Sequence, residues 1–185
     1  MSLLSFCRRV LFLSGASGRE KIANDDPNGA NGQFDLGRRH DEGNSPDLQQ
    51  ALEWYRKAAE QGHAAAQFNL GMMYAQGRGV PRDDAEALNW IRQAAEGGDA
   101  GAQHNLGGRC HRASLRVRYV DSSEDRIEAY KWLYLAAAQG YHGSAAACER
   151  VTISMSSDEV VQGNQRAASF VARSAGSDRP NGAGV

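Results

Sequence analysis

The stretch AAAQFNLGMMYAQGRGVPRDDAEALNWIRQAAEGGD, residues 64–99, decides the fold. Small and apolar residues recur at intervals of three or four positions in each of its halves, which predicts two amphipathic helices. Between them lies GRGVP, residues 77–81. This segment predicts a turn, because glycine adopts left-handed backbone conformations and proline cannot continue a helix. Residues 64–99 therefore predict one helix–turn–helix unit. The first helix of such a unit is called helix A here, and the second is called helix B.

The second half of this unit is repeated on both sides. The copies are ALEWYRKAAEQGHA at residues 51–64, ALNWIRQAAEGGDA at 87–100 and AYKWLYLAAAQGYH at 129–142. Trp54 and Trp90 are 36 residues apart, and Trp132 follows Trp90 by 42 residues. A fixed period of this length indicates stacked helical repeats, because one unit cannot bury its apolar face alone. We expect each tryptophan to fill the space between helix layers.

Each copy also carries boundary signals for helix B. An aspartate seven residues before each tryptophan, followed three residues later by Gln or Glu, predicts a capping box. These aspartates are Asp47, Asp83 and Asp125. A glycine after each helix B is expected to take the left-handed conformation that ends a helix. These glycines are Gly62, Gly98 and Gly140.

The pattern resembles the Sel-one-like repeat (SLR) family, relatives of the tetratricopeptide repeats. Its unit reads A-x-x-x-L-G-x-x-Y-x-x-G-x-G-V-x-x-D-x-x-x-A-x-x-W-x-x-x-A-A-x-x-G, which residues 64–99 match almost throughout. The resemblance covers roughly residues 30–150. It implies an all-α fold, a right-handed α-α solenoid of about three 36-residue helix-turn-helix repeats plus a half-repeat and a C-terminal capping helix.

This reading predicts the domain organisation. The solenoid should occupy residues 30–173, with repeats at about 30–63, 64–99 and 100–141 and a half-repeat and cap at 142–173. Residues 1–29 are expected to form a flexible N-terminal tail and residues 174–185 a disordered C-terminal tail. The capping helix should run from about Ser157 to Arg173 behind the box Ser156-x-x-Glu159. Gly163 should weaken this helix by roughly 1 kcal/mol.

The resemblance also implies that the A helices line a concave, partner-binding side. The residues between the core positions of these helices would then contact a protein or peptide partner. They are Arg38, Arg39, Asn69, Met72, Met73, Asn105 and Arg109. Methionine pairs suit adaptable surfaces. The two asparagines either grip an extended peptide backbone or hold their own helix turn, and the sequence leaves both roles open.

The third repeat departs from the pattern, since HRASLRVRYVDSS replaces its turn at residues 111–123. We interpret the basic residues at 109–118 as a solvated loop that the acids after it partly neutralise. The basic residues of this predicted loop, besides Arg109, are Arg112, Arg116 and Arg118. Docking of an acidic partner or of nucleic acid is the alternative. Scarce aromatic residues for base stacking disfavour nucleic acid.

No pattern for chemistry is visible. The five histidines lack metal-ligand spacing, the serines lack a G-x-S-x-G elbow, and the three cysteines form no C-x-x-C pair. Cys110 and Cys148 align with core positions, which favours buried thiols. We predict no catalytic residue, no metal and no cofactor. A remote alternative is β-lactam binding or hydrolysis, linked to secreted relatives with paired cysteines in each repeat, which this chain lacks.

Composition favours a soluble globular chain, with 41% hydrophobic residues, 23% charged residues and a formal net charge of -1. This balance gives no general attraction to nucleic acid or to an anionic membrane. No stretch approaches the roughly 20 apolar residues of a membrane span. We expect a cytoplasmic scaffold, with export by an atypical signal around Arg8-Arg9 as the alternative. The identity of the partner and the oligomeric state stay open.

Overall fold

The computed structural model describes residues 28–42, 45–116 and 122–177, with side chains described as far as Val171. This part of the chain is all-helical, as predicted. Its helices are α1 (Ala30–Asp41), α2 (Leu48–Glu60), α3 (Ala64–Gln76), α4 (Asp84–Glu96), α5 (Ala100–Arg116), α6 (Ser123–Ala138), α7 (Ser144–Thr152) and α8 (Ser157–Ser177). Residues 1–27 of the predicted tail, Arg118 and residues 178–185 lie outside the described residues.

The chain divides into two compact units, residues 1–102 and 103–185, and the boundary falls within α5. The two units are described separately. None of the described helices combines the length and the apolar character that crossing a membrane requires.

The aspartate caps of the first two B helices are confirmed. Asp47 Oδ1 accepts a hydrogen bond from the Gln50 amide at 3.0 Å, and Asp83 Oδ1 accepts from the Glu86 amide at the same distance. Each carboxylate satisfies an amide that the first turn of a helix leaves without a partner. The local pattern of aspartate and turn is therefore enough to start α2 and α4.

The reverse half of the predicted capping box is not formed in these helices. The Asp47 amide donates to the His40 carbonyl at 2.9 Å, and the Asp83 amide donates to the Tyr74 carbonyl at 3.0 Å. Backbone from the preceding A helix thus occupies the place that a Gln or Glu side chain would take. The Glu86 side chain instead accepts a hydrogen bond from Trp90 Nε1 at 2.9 Å.

The prediction that Asp125 caps the third B helix is wrong. Helix α6 begins at Ser123 behind Ser122, so Asp125 lies inside the first turn together with Glu124. Carboxylates in a first turn favour the helix by interacting with its positive end. The terminating glycines behave as predicted, since Gly62, Gly98 and Gly140 all have φ between +78° and +93°.

The tryptophans are not the most deeply buried side chains of the B helices, although Trp90 packs against the core of the first unit. Trp54 and Trp90 are half-buried, and only Trp132 is buried. The residue directly after each tryptophan is instead the one withdrawn from solvent. These residues are Tyr55, Ile91 and Leu133, each 1% exposed. On a helix one position is a rotation of about 100°, which turns the tryptophan to the edge of the contact and its neighbour into the centre.

A glycine of helix A lies opposite each of these buried side chains. A Cβ atom built on Gly37 would lie 2.6 Å from Tyr55 Cδ1, and one built on Gly71 would lie 2.8 Å from Ile91 Cγ1. Any larger residue would therefore overlap the facing side chain. The Leu-Gly pair of the repeat places leucine in the core and lets helix B approach helix A closely.

The second unit is completed by α7 and the capping helix α8. Its core includes Tyr130, Leu133, Cys148 and Val151, and Cys110 packs against this cluster as a partly buried residue. The predicted box at the start of α8 is confirmed, because the Ser156 amide donates to Glu159 Oε2 at 2.6 Å and the Glu159 amide donates to Ser156 Oγ at 3.3 Å. The predicted core position of Cys148 is confirmed as well.

Two expectations for α8 need correction. A Cβ atom on Gly163 would lie 2.5 Å from Tyr130 Cδ1, so this glycine permits close packing of α8 on α6 and is not merely a weak point. The helix also continues to Ser177. Residues 174–177, which were expected to belong to the tail, are therefore helical.

The prediction of a basic loop from residue 109 is wrong for residues 109–116. These residues form the last turns of α5, which has 17 residues, whereas α3 has 13. Helix α3 ends at Gln76, its C-cap Gly77 has φ +68°, and Pro81 follows. The third repeat has neither residue type in HRASLR, residues 111–116, so nothing stops the helix.

Candidate partner-binding surfaces

The first candidate surface lies on α1 and α3 in the first unit. Arg38 and Arg39 are exposed near the end of α1, and Asn69 and Met72 are partly buried on α3. These four residues are named the α1–α3 face here. Arg38 Nε donates to Glu42 Oε1 at 3.1 Å, an ion pair across one helical turn that raises the pKa of Arg38. The α1–α3 face thus comprises two exposed arginines on α1 and a partly buried, polarisable methionine side chain on α3.

The structure removes Met73 from the predicted contact residues. Its side chain is 1% exposed and packs in the core of the first unit with Leu70 and Tyr55. Position 73 faces helix α2 of the preceding repeat, whereas the equivalent Arg39 lies on α1, before which no helix is described. The same repeat position is therefore core in α3 and surface in α1.

A polar network that the sequence did not reveal lies beside this face. Arg78 Nη2 donates to Asp41 Oδ1 at 2.6 Å, and the Tyr55 hydroxyl donates to Asp41 Oδ2 at 3.5 Å. Burial and the negative charge of Asp41 raise the pKa of Tyr55 to about 12, while a hydrogen bond with Asn69 opposes this rise. Asp41 and Arg78 are distant in sequence, so no local pattern could have paired them.

This network bears on the open role of Asn69. Its contact with the Tyr55 hydroxyl holds part of the amide inside the protein. A carboxamide has two N–H donors and an oxygen with two lone pairs, so one such contact does not saturate it. The contact supports a structural role for Asn69 and leaves peptide binding as a prediction.

His63 stands at the junction of α2 and α3 and has a role that the sequence reading missed. It is the N-cap of α3, and its Nδ1 accepts a hydrogen bond from the Ala66 amide at 3.1 Å. The ring stacks on Phe34 with centroids 4.5 Å apart. Burial lowers the pKa of His63. Because Nδ1 acts as an acceptor, the cap requires the neutral imidazole.

The second candidate surface lies in the second unit along α5. Asn105 and Arg109 are partly buried, and Arg112 and Arg116 are exposed. The intervals between them are four, three and four residues, which places all four on one side of the helix. The Arg112 guanidinium folds back over the helix, since its Nη1 lies 3.6 Å from where a Cβ of Gly108 would be.

Two histidines on α5 lie beside this surface. His104 Nδ1 is 2.8 Å from Ser144 Oγ, at the start of α7, and its ring centroid is 5.3 Å from that of Tyr141. His111 Nδ1 is buried and has no hydrogen-bond partner among the described residues. Burial, followed by the positive charge of Arg150, lowers the pKa of both histidines.

Three glutamates of the second unit, Glu124, Glu128 and Glu159, form ion pairs with arginines of α6 and α8. Arg126 binds Glu159 through two nitrogens at 2.5 Å and 3.0 Å. Arg166 Nη1 donates to Glu124 at 2.5 Å and to Glu128 at 2.9 Å. These ion pairs join α6 to α8. The carboxylates of Glu124, Glu128 and Glu159 are therefore engaged by arginines of α6 and α8.

No group of three His, Cys, Asp or Glu side chains placed as metal ligands occurs in the described part of the chain. The absence of catalytic residues, metal and cofactor stays a prediction.

Comparisons with known proteins agree with this architecture. The family model "Sel1 repeat" matches residues 30–63, 64–99 and 100–141. No curated protein matches the sequence. Among solved structures, c5321, a protective antigen present in uropathogenic Escherichia coli strains that displays an SLR fold, superimposes with a TM-score of 0.63 at 26% identity. That match covers 84% of this chain and 34% of the antigen.

A second solved structure, a Sel1 repeat protein from Oxalobacter formigenes, superimposes with a TM-score of 0.54 at 27% identity. The match covers 76% of this chain and 56% of that protein. This chain thus spans about a third of the first relative and just over half of the second. Because the family model covers more than half of the chain, the protein is a member of the Sel1 repeat family.

Proposed function

We propose that this protein is an interaction scaffold that binds a partner protein or peptide on the α1–α3 face. Sel1 repeat proteins are generally protein-interaction scaffolds, and the family is generally non-catalytic. The observation that carries the proposal is the contrast between Met72 and Met73. Met73 is packed in the core, whereas Met72 remains partly accessible on α3, and Arg38 and Arg39 are exposed on α1. A flexible thioether and exposed cationic side chains suit an adaptable contact.

The surface around Met72 is also held in a defined geometry. The Asp41–Arg78 ion pair ties the end of α1 to the turn after α3, and Tyr55 lies between these elements. A face whose supporting side chains are fixed loses less conformational entropy when a partner binds. This rigidity supports a binding role.

The test compares three baits in a quantitative capture from native lysate. The first is the wild-type chain and the second is Arg39→Glu/Met72→Ala. The third is the control Arg92→Glu/Ile153→Ala, which changes an exposed arginine on α4 and a residue that is 86% exposed. Each variant replaces one arginine by glutamate and one apolar side chain by alanine. Circular dichroism of all three chains checks that they are folded.

We expect one or more proteins whose recovery falls about tenfold with the face variant, equivalent to about 1.4 kcal/mol, and is unchanged with the control. Direct binding of the recombinant partner to the same three chains then confirms the site. Partners recovered equally with all three baits would contradict binding at the α1–α3 face. Recovery of nothing by the wild-type chain would count against the scaffold function itself.

A further inference from the structure

The extension of α5 sets the second unit apart from the repeat pattern. It places Arg109, Arg112 and Arg116 on one side of a continuous helix, at intervals of three and four residues. At a rise of 1.5 Å per residue, the first and last of these arginines are separated by about 10 Å along the axis. Arg112 folds back over Gly108, so its guanidinium lies on this side of the helix. A helix therefore presents three cations in a fixed row.

Helix α7 carries a further exposed arginine whose charge reaches α5. Arg150 is exposed, and its charge acts on both His104 and His111 of α5, while Arg112 also acts on His111. Arg150 and Arg112 therefore approach the same histidine from different helices. The four arginines Arg109, Arg112, Arg116 and Arg150 are named the arginine face here.

The arginine face has no ion-pair partner in the part of the chain that the structure describes. The carboxylates of Glu124, Glu128 and Glu159 are bound to arginines of α6 and α8. Glu149 precedes Arg150 on α7, but neighbouring positions point about 100° apart around a helix. Like charges brought together without a counterion destabilise the folded chain.

One neighbouring polar group is also incomplete. His111 Nδ1 is buried on α5 without a hydrogen-bond partner among the described residues. Among the described residues, the arginines thus lack a counter-charge, and His111, on an adjacent side of α5, lacks a hydrogen-bond partner at Nδ1. An anion bound along these arginines would supply the counter-charge that the described residues do not.

We propose that the arginine face binds an acidic segment of a partner protein, with the partner's carboxylates paired to the guanidinium groups. Guanidinium and carboxylate form planar, two-point hydrogen bonds, which makes arginine suited to this ligand. A row of about 10 Å matches two or three carboxylates on an extended or helical peptide. The inference rests on the proposed function, for which it names one class of partner, but it concerns a different unit of the chain.

Two observations favour acidic protein over nucleic acid. The formal net charge of the chain is -1, so no broad positive field surrounds the arginine face. Sequence-tolerant binding of single strands also uses aromatic side chains on which bases stack. Tyr141 is the exposed large aromatic side chain in the described part of the second unit, and its ring already packs near His104.

The test uses the full chain and labelled peptides in fluorescence anisotropy. One peptide alternates Glu with Gly, and its matched control alternates Gln with Gly. The variant is Arg112→Glu/Arg116→Glu, both exposed positions. The control variant is Lys57→Glu/Arg92→Glu, which makes the same charge change at two exposed basic residues of the first unit outside the α1–α3 face. A milder variant, Arg112→Ala/Arg116→Ala, separates loss of contact from repulsion.

We expect the wild-type chain to bind the Glu peptide, to ignore the Gln peptide and to lose affinity as salt screens the charges. The reversed variant should bind about tenfold more weakly or not at all, the alanine variant should be intermediate, and the control variant should bind like the wild type. Equal binding by the reversed variant and the wild type would overturn the proposal. So would undetectable binding of the Glu peptide at low salt.

One further variant and one further ligand complete the design. The Arg39→Glu/Met72→Ala variant of the α1–α3 face should bind the Glu peptide normally, so failure of one site is distinguishable from failure of the other. A labelled single-stranded oligonucleotide carrying the same number of charges as the Glu peptide tests the other class of ligand. Tighter binding of this oligonucleotide, lost in the reversed variant, would replace acidic protein by nucleic acid and overturn the assignment.

Discussion

Gly107 on α5 and Leu133 on α6 lie so close that a Cβ atom built on Gly107 would be 2.7 Å from Leu133 Cγ. The same relationship joins Gly37 to Tyr55 and Gly71 to Ile91. In each repeat, the glycine that follows the helix A leucine receives the side chain that follows the helix B tryptophan. This contact sets the distance between the two helices of a repeat.

The neighbouring glycine provides a matched test of this contact. Gly107→Ala should lower the free energy of unfolding by about 1–3 kcal/mol, because the added methyl group overlaps Leu133 and the Ala129 carbonyl. Gly108→Ala should raise it by about 0.5–1 kcal/mol, since alanine favours a helix and its Cβ would meet only Arg112 Nη1 at 3.6 Å. Urea unfolding followed by circular dichroism measures both. Equal effects of the two substitutions would show that the Gly107 contact does not limit packing.

The sequence is sufficient to predict the start or end of a helix where the signal lies within a few residues. Asp47 and Asp83 start their helices, and Gly62 ends one, through contacts within a few residues. It was insufficient where the outcome depends on packing between helices. The burial of Met73 depends on helix α2 of the preceding repeat, and the Asp41–Arg78 ion pair joins distant parts of the first unit.

The same limit explains the two misjudged features of the third repeat. Asp125 had the right spacing from Trp132, but the helix found an earlier start at Ser123. The basic segment replaces a turn, which favours a loop. Its Arg, Ala and Leu residues favour a helix, however, and residues 111–116 contain no helix breaker. For the candidate surfaces, the sequence predicts exposed arginines at 38, 39, 112 and 116, but it does not predict that a continuous α5 aligns Arg112 and Arg116 on one side of a helix.

The tryptophans and their neighbours should differ in their effect on stability. Ile91→Ala should lower the free energy of unfolding by about 2–5 kcal/mol, because it opens a cavity at a side chain that is 1% exposed. Trp90→Ala should lower it by less, since Trp90 is only half-buried where it packs against the core of the first unit, and its indole N–H bonds to the partly buried Glu86. Chemical denaturation of both variants checks the order. A larger loss for Trp90→Ala would restore the tryptophan as the main interlayer residue.

Acid should weaken the first unit through His63. Burial lowers the pKa of this histidine from its ordinary value of 6.5, so as the pH falls below 6.5 the unfolded chain takes up a proton before the folded chain does. Stability is therefore full above pH 6.5 and is lost as the pH falls toward the lower folded pKa. His63→Asn keeps an N-cap that does not titrate. The stability difference between wild type and His63→Asn should shrink or reverse over this range, and parallel pH profiles would contradict it.

Alkali should act on the first unit through Tyr55. Its pKa is raised from 10.0 to about 12, so between these values the unfolded chain loses the phenolic proton while the folded chain retains it. Stability is full below pH 10 and falls as the pH rises through the folded pKa, by about 2–3 kcal/mol for a shift of this size. Tyr55→Phe lacks the titrating group and serves as the reference, because every other group titrates in both chains.

The measurement is the free energy of unfolding of wild type and Tyr55→Phe across that alkaline range. We expect Tyr55→Phe to be the less stable chain at neutral pH, because the Asp41 and Asn69 side chains lose the hydroxyl as a partner. Its disadvantage should diminish as the pH rises from 10 toward 12. A constant difference would mean that the Tyr55 hydroxyl ionises as readily in the folded chain as in the unfolded one, and the network with Asp41 would then be open to solvent.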